Sequence, residues 1–239
     1  MNRRLLVIVA VLVLALGAAG AAALIQNTDT NDAATSPAST ASGSSTSPLQ
    51  YLDVAAQTLD GIPQKGYVLG YPEAPATLAV YADLLCPICR EFDAGVLPDV
   101  ITQLVRTKKL KLELRVWTII SANSVDAAKA TWAAARQDHA WTLATITYLN
   151  QGDEAVAWFD DAFAHDVATA SGLDPTRFDA DRANPAAQTE IERVDTDATE
   201  RKFTGTPSLL LTGPGGEKVV EPSSDVAALA AAVAAISVR

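Results

Sequence analysis

The sequence predicts an α/β fold: a strand–helix–strand unit, then a long helical block, then a hairpin and a closing helix. Three observations carry this. A near-continuous apolar run, Ala76–Ala82, leads into Cys86-Pro87-Ile88-Cys89 and then an amphipathic stretch from Glu91 to Val105. Lys109 to Ile120 alternates, with Leu110, Leu112, Leu114 and Val116 on one face and Lys109, Lys111, Glu113 and Arg115 on the other. From Ser124 to about Phe203 the apolar residues recur at helical spacing.

The chain opens with Arg3 and Arg4 and then runs without a charge from Leu5 to Ile25, a stretch of 21 residues. A helix of that length, rising about 1.5 Å per residue, spans a ~30 Å hydrocarbon core. Residues 1–25 are therefore expected to be a signal anchor, with the two arginines on the cytoplasmic side. The competing reading is a cleaved signal peptide, for which Ala19-Gly20-Ala21 offers a small-residue site. Either reading exports the rest. The domain is expected outside the cytoplasm, held at the cell membrane by the anchor or secreted after cleavage. Residues 26–50 are rich in Ser, Thr, Ala and Asp without apolar periodicity and read as a flexible linker.

Residues 51–239 are long enough for one domain with a full core, with a helical insertion at about 121–203. All 28 acidic residues lie beyond Ile25 against 16 basic ones, which leaves −12 on the exported part. That charge disfavours nucleic acid and anionic lipid as partners.

Within the domain, Gly66 to Gly70 reads as a short first strand. Ala76–Ala82 has the composition of a strand buried on both faces. The helix that follows is expected from about Cys86 to Arg106, kinked at Pro98. The alternating segment Lys109–Ile120 is a half-buried strand, and the strand–helix–strand order implies a right-handed parallel crossover. The helical block divides into Val125–Ala135, Trp141–Leu149, Val156–Ala168, a turn opened by Asp174-Pro175, and Pro185–Lys202. Ser208–Leu211 and Glu217–Val220, joined through Gly213-Pro214-Gly215-Gly216, form a hairpin, and an alanine-rich helix from Ser224 to Ile236 closes the chain.

Cys86 and Cys89 are the only cysteines. Half a zinc site is one reading of such a pair, but a closed site needs about four ligands, and His139 and His165 show no ligand spacing with it. A structural disulfide is another, although closing so short a loop removes little chain entropy. The third is a redox dithiol. Its placement between a strand and a helix favours this, because a helix N-terminus stabilises a thiolate. On that reading Cys86, exposed at the N-cap, is the candidate nucleophile and Cys89, one turn on, the candidate resolving thiol. Pro87 suits the first helical position, where its missing N–H costs nothing. Ile88 adds neither charge nor donor, which argues against the most oxidising potentials.

Trp132, Trp141 and Trp158 fall at core spacing and read as packing. His139 and His165 read as surface or edge histidines, and Asp160-Asp161 as a solvated face.

Tyr81-Ala-Asp-Leu-Leu-Cys-Pro-Ile-Cys-Arg-Glu-Phe92, the kinked Val96-Leu97-Pro98, the loop Ala170–Asp174 and Gly205-Thr206-Pro207-Ser208 together resemble the DsbA-like thiol–disulfide oxidoreductases. That resemblance covers about Tyr67 to the C-terminus and implies a thioredoxin fold carrying a helical insertion. It implies that Cys86 attacks, that Cys89 resolves, and that Thr206-Pro207 is a cis-proline loop facing the disulfide and pairing with an extended substrate segment. Asp83, three residues before Cys86, is a candidate auxiliary, with a strand-end turn as its other reading. The active-site strand holds Leu78, Ala79, Val80 and Tyr81 where some relatives carry a buried acid.

The implied activity is that of an exported disulfide oxidase, with a reductase or isomerase and a non-catalytic binding module as the alternatives. No metal and no cofactor beyond the redox-active pair are implied. The implied partners are reduced or unfolded exported proteins and a membrane redox partner that is DsbB-like or vitamin-K-epoxide-reductase-like. The domain is expected to be a monomer.

Overall fold

The computed structural model describes residues 48–153, 156–223 and 225–238. The expected anchor at 1–25 and nearly all of the linker at 26–50 lie outside them. Among the described residues no helix is long and apolar enough to cross a membrane.

A first helix, α1 (Leu52–Leu59), precedes two short strands, β1 (Gln64–Lys65) and β2 (Val68–Leu69); β2 lies within the expected strand Gly66–Gly70, and β1 precedes it. The apolar run forms β3 (Ala76–Ala82) and the alternating segment forms β4 (Leu110–Val116). They pair in parallel from Ala76 opposite Leu110 to Ala82 opposite Val116. The hairpin strands are β5 (Ser208–Gly213) and β6 (Gly216–Val220). β5 runs antiparallel to β3, with Tyr81 opposite Ser208. The sheet order is β1-β2-β4-β3-β5-β6, so β3 lies inside the sheet with a neighbour on each side. This explains its lack of charged residues: Leu78 and Val80 face one core cluster while Ala79 and Tyr81 face another.

The helix after Cys86 is broken rather than kinked. It comprises α2 (Pro87–Gly95), α3 (Leu97–Val100) and a π-helical turn at Ile101–Val105. The break follows from Pro98, which has no N–H to continue the ladder. The expected extension of β4 to Ile120 also fails, because the N–H groups of Ile119 and Ile120 turn instead to the Asp83 carboxylate.

Between β4 and β5 lie α4 (Ser124–Ala135), α5 (Ala140–Leu149), α6 (Asp161–Ala170), α7 (Pro175–Arg182) and α8 (Pro185–Glu200). α6 starts at Asp161 and not at Val156. Asp160 is its N-cap, accepting the Phe163 N–H at 2.8 Å, while Asp161 pairs with Arg182 at 2.8 Å. Both acids are exposed, as expected of a solvated face, and in addition serve as a cap and an ion pair. Gly172, at φ +75°, follows α6 in a conformation that favours glycine. Asp174 caps α7 through the Arg177 N–H at 2.8 Å. α9 (Val226–Ile236) closes the fold.

Trp141 is fully packed, and Trp158 stacks edge-on against Phe159 and Phe163. His165 lies on the surface with its Nε2 3.2 Å from Asp179.

Candidate active site

The turn between β3 and α2 is built by Asp83. Its side chain is wholly buried. One carboxylate oxygen accepts the Leu85 N–H at 2.9 Å, and the other accepts those of Ile119 and Ile120, each at 2.9 Å. Its carbonyl accepts the Cys86 N–H at 3.1 Å and, at 3.3 Å, the Tyr148 hydroxyl. Asp83 therefore ties the end of β3 to the chain leaving β4 and sets the path into Cys86.

Cys86 is the N-cap of α2 and Pro87 its first residue. The Cys86 sulfur accepts the Cys89 N–H at 3.4 Å. Across from it, the Thr206 carbonyl lies 3.5 Å from the same sulfur, and the Thr206–Pro207 bond is cis. The structure thus brings Cys86, Cys89, Thr206 and Pro207 together, with Ile88 standing out at 55% exposure beside them. The expectation of an exposed Cys86 needs correcting. The residue is only 3% exposed, because the loop bearing Thr206 covers it. From the helical insertion, Gln151 donates its amide to the carbonyls of Leu84 at 2.8 Å and Cys86 at 3.2 Å.

Both thiols are free, and their surroundings drive them in opposite directions. A hydrogen bond from the Cys89 thiol, helped by the backbone N–H groups of Cys89 and Ile88, outweighs burial and lowers Cys86 to about 6. Near neutral pH such a group favours its thiolate. Burial pushes Cys89 far above its ordinary value, and the neighbouring Cys86 pushes it further. The arrangement is one ready nucleophile beside one thiol that holds its proton.

Two further buried groups, Asp93 and Tyr148, lie beside the pair. Asp93, on α2, is 5% exposed, and its carboxyl accepts the Thr145 hydroxyl at 3.3 Å. Burial raises its carboxyl to about 7. Tyr148, on α5, is buried next to Cys89, Asp93 and Asp83, and burial raises its phenol well above the usual range. The available signal for Asp93 was its position four residues after Cys89, on the same helical face. Among the described residues no group of three or more His, Cys, Asp or Glu is placed to hold a metal.

Residues 63–235 match the family described as Thioredoxin. Na(+)/H(+) antiporter NhaA 1 of Mycolicibacterium gilvum is 30% identical over 159 residues, which are 63% of this chain but 24% of that protein. The chain thus spans about a quarter of that relative's length. A probable disulfide bond formation protein D of Bacillus cereus is 24% identical over 149 residues, 61% of this chain and 69% of that protein. Among solved structures, BdbD from Bacillus subtilis superposes with a TM-score of 0.64 at 17% identity, over 74% of this chain and 97% of that one. A thioredoxin-like oxidoreductase from Silicibacter pomeroyi gives 0.55 at 25% identity, over 74% of this chain and 96% of that one. The fold of this chain is accordingly that of the DsbA and BdbD type.

Proposed function

The chain belongs to the thioredoxin family, and from that premise we propose that it is an exported protein-disulfide oxidase working through Cys86 and Cys89. The observation that carries this reading is the placement of Cys86 at the N-cap of α2, where the Cys89 N–H points at its sulfur from 3.4 Å and favours the thiolate, with Cys89 buried one turn on. Stabilising the Cys86 thiolate stabilises the reduced pair, and a stabilised reduced form makes the disulfide an oxidant.

In the forward reaction a substrate thiolate attacks the Cys86 sulfur of the oxidised pair. The Cys86–Cys89 bond breaks, and Cys89 leaves with the electron pair and takes up a proton. A second substrate thiolate then attacks the substrate sulfur of the mixed disulfide and releases Cys86 as the thiolate. The substrate loses two electrons and gains a disulfide, and the enzyme ends as the dithiol. Cys86 is a good leaving group because its thiolate is stable near neutral pH.

On this reading the cis Thr206–Pro207 loop, whose Thr206 carbonyl lies 3.5 Å from the Cys86 sulfur, pairs with an extended substrate segment. Asp83 serves as the brace of the turn, its carboxylate committed to three backbone N–H groups. The substrates on this reading are reduced exported proteins, and a membrane protein of the DsbB-like or vitamin-K-epoxide-reductase-like kind regenerates the disulfide. The apolar run at 5–25 supports a membrane-anchored domain outside the cytoplasm, with secretion after cleavage as the alternative.

The test is the reduction potential of the pair, by equilibration with glutathione. A potential at or above about −180 mV is expected. A potential near about −270 mV would overturn the oxidase in favour of an exported reductase.

A further inference from the structure

Resting on the oxidoreductase reading, we propose that Gln151 of the helical insertion is a positioning residue for Cys86, aiming its sulfur by holding two carbonyls of the turn that carries it.

The turn between β3 and α2 has two kinds of backbone group to satisfy. Its N–H groups are served by Asp83: the carboxylate accepts from Leu85 and the carbonyl from Cys86. Its carbonyls need donors. Leu84 is wholly buried and lies past the end of β3 and before the start of α2, so neither element supplies one. A buried carbonyl left without a donor is costly. The Gln151 amide nitrogen meets the Leu84 carbonyl at 2.8 Å and the Cys86 carbonyl at 3.2 Å. A primary amide has two N–H donors, enough for both. The Cys86 carbonyl also accepts the Arg90 N–H at 3.1 Å, at the start of α2. Gln151 thus bridges the turn to the first rung of the active-site helix. With the carbonyls on both sides of Leu85-Cys86 held, the direction of the Cys86 side chain is set. That direction puts the sulfur 3.4 Å from the Cys89 nitrogen and 3.5 Å from the Thr206 carbonyl.

A residue that positions another must itself be held, and Gln151 is held through both neighbours. Asn150, the C-cap of α5, accepts the Gln50 N–H at 2.6 Å. Its own amide donates to the Gln50 carbonyl at 3.0 Å and to the Ile146 carbonyl at 2.9 Å. On the other side, Gly152 lies against Trp158, where an added Cβ would stand 2.6 Å from the ring. Trp158 packs edge-on against Phe159 and Phe163. The loop after α5 is therefore pinned at residues 150 and 152, and the side chain between them reaches a fixed point.

A purely structural Gln151 would pair two buried carbonyls and do nothing more. The two roles move different quantities. Loss of a structural bond lowers stability and leaves the sulfur where it is. Loss of a positioning bond loosens the contact between the sulfur and the Cys89 N–H, and with it the thiolate. Gln151 carries no charge. The titratable groups that face Cys86, which are Cys89 on α2, Asp83 in the turn and Tyr148 on α5, all stay in place when it is replaced.

The experiment uses the full chain and Q151M, which keeps the length of the side chain and removes both donors. The reduced proteins are titrated from about pH 4 to about pH 10 by ultraviolet thiolate absorbance, and the pair is equilibrated with glutathione at about pH 8. Q151M should weaken the Cys86 thiolate about tenfold, which moves its midpoint up by about one pH unit. The reduced form then loses the same factor, and the potential should fall by about 30 mV, the value of tenfold in a two-electron couple. An unchanged midpoint and potential in Q151M, whatever its stability in urea, would overturn the proposal and leave the oxidoreductase reading intact. Failure of the unmodified pair to exchange with glutathione would instead sink that reading. Should Q151M not fold, the side-chain amide resonances of Gln151 in the unmodified protein decide. Shifts that follow the Cys86 titration support the proposal, and shifts that stay flat across it overturn it.

Discussion

The amide nitrogen of Cys89 lies 3.4 Å from the sulfur of Cys86, so the first turn of α2 points a backbone donor at the thiolate it caps. The contact is made from the N-cap, where backbone N–H groups are otherwise unpaired and the helix dipole favours an anion. It disfavours a proton on Cys86 and exists only because Pro87 and Ile88 fold the pair into one turn.

This contact gives the reduced protein a pH-dependent stability. The folded pKa of Cys86 is lowered to about 6 from an ordinary value of 9.0. A lowered pKa adds stability that is fully present above the unfolded value and is lost as pH falls through the folded one. The stability of the reduced form relative to the oxidised form should therefore rise between about pH 6 and pH 9, because the oxidised form has no thiol to titrate. Urea unfolding of both forms across that range checks it; a flat difference would mean that Cys86 is an ordinary thiol.

Asp83 makes a structural prediction. Its carboxylate holds three backbone N–H groups, two from the adjacent residues 36 and 37 positions on and one from its own turn. Hydrogen bonds to a charged group are worth about 1.5–3 kcal/mol each at most, and they share one acceptor. D83A should cost on the order of 3 kcal/mol in urea unfolding. D83N should cost nearly as much, because its NH₂ group would present donors to donors. A D83N protein as stable as the parent would show that the second oxygen does little.

What could be read from the sequence was local. The pairing of β3 with β4 follows from an apolar run and a two-residue alternation, and the caps Asp174 and Cys86 follow from the residues that directly succeed them. What could not be read depended on distant segments. Cys86 looked exposed because the Thr206 carbonyl that covers it comes from 120 residues away. β4 reads longer because Ile119 and Ile120 continue its apolar character, while their N–H groups answer to the Asp83 carboxylate in the turn after β3. Glu91 and Asp93 look alike on a helix wheel of mixed polarity. Only the packing of α5, with Thr145 and Tyr148, separates the exposed acid from the buried one.

That burial should show as a stability cost. Asp93 has its carboxyl raised from 3.8 to about 7 in the fold, by desolvation and against the Thr145 hydrogen bond. The folded protein therefore binds the proton more tightly than the unfolded chain, and stability falls as pH rises from about 4 to about 7. Above pH 7 both states are ionised and the cost is constant, on the order of 4 kcal/mol at 1.36 kcal/mol per pKa unit. D93N removes the titration while keeping the shape and an acceptor for Thr145. Its stability gain over the parent should be small near pH 4 and grow to a few kcal/mol at pH 7.5. The measurement is urea unfolding of both proteins in the oxidised form, where Cys86 does not titrate and the slope belongs to Asp93. A gain that does not change with pH would mean that the carboxyl is solvated in the folded state, and the account of its burial would fail with it.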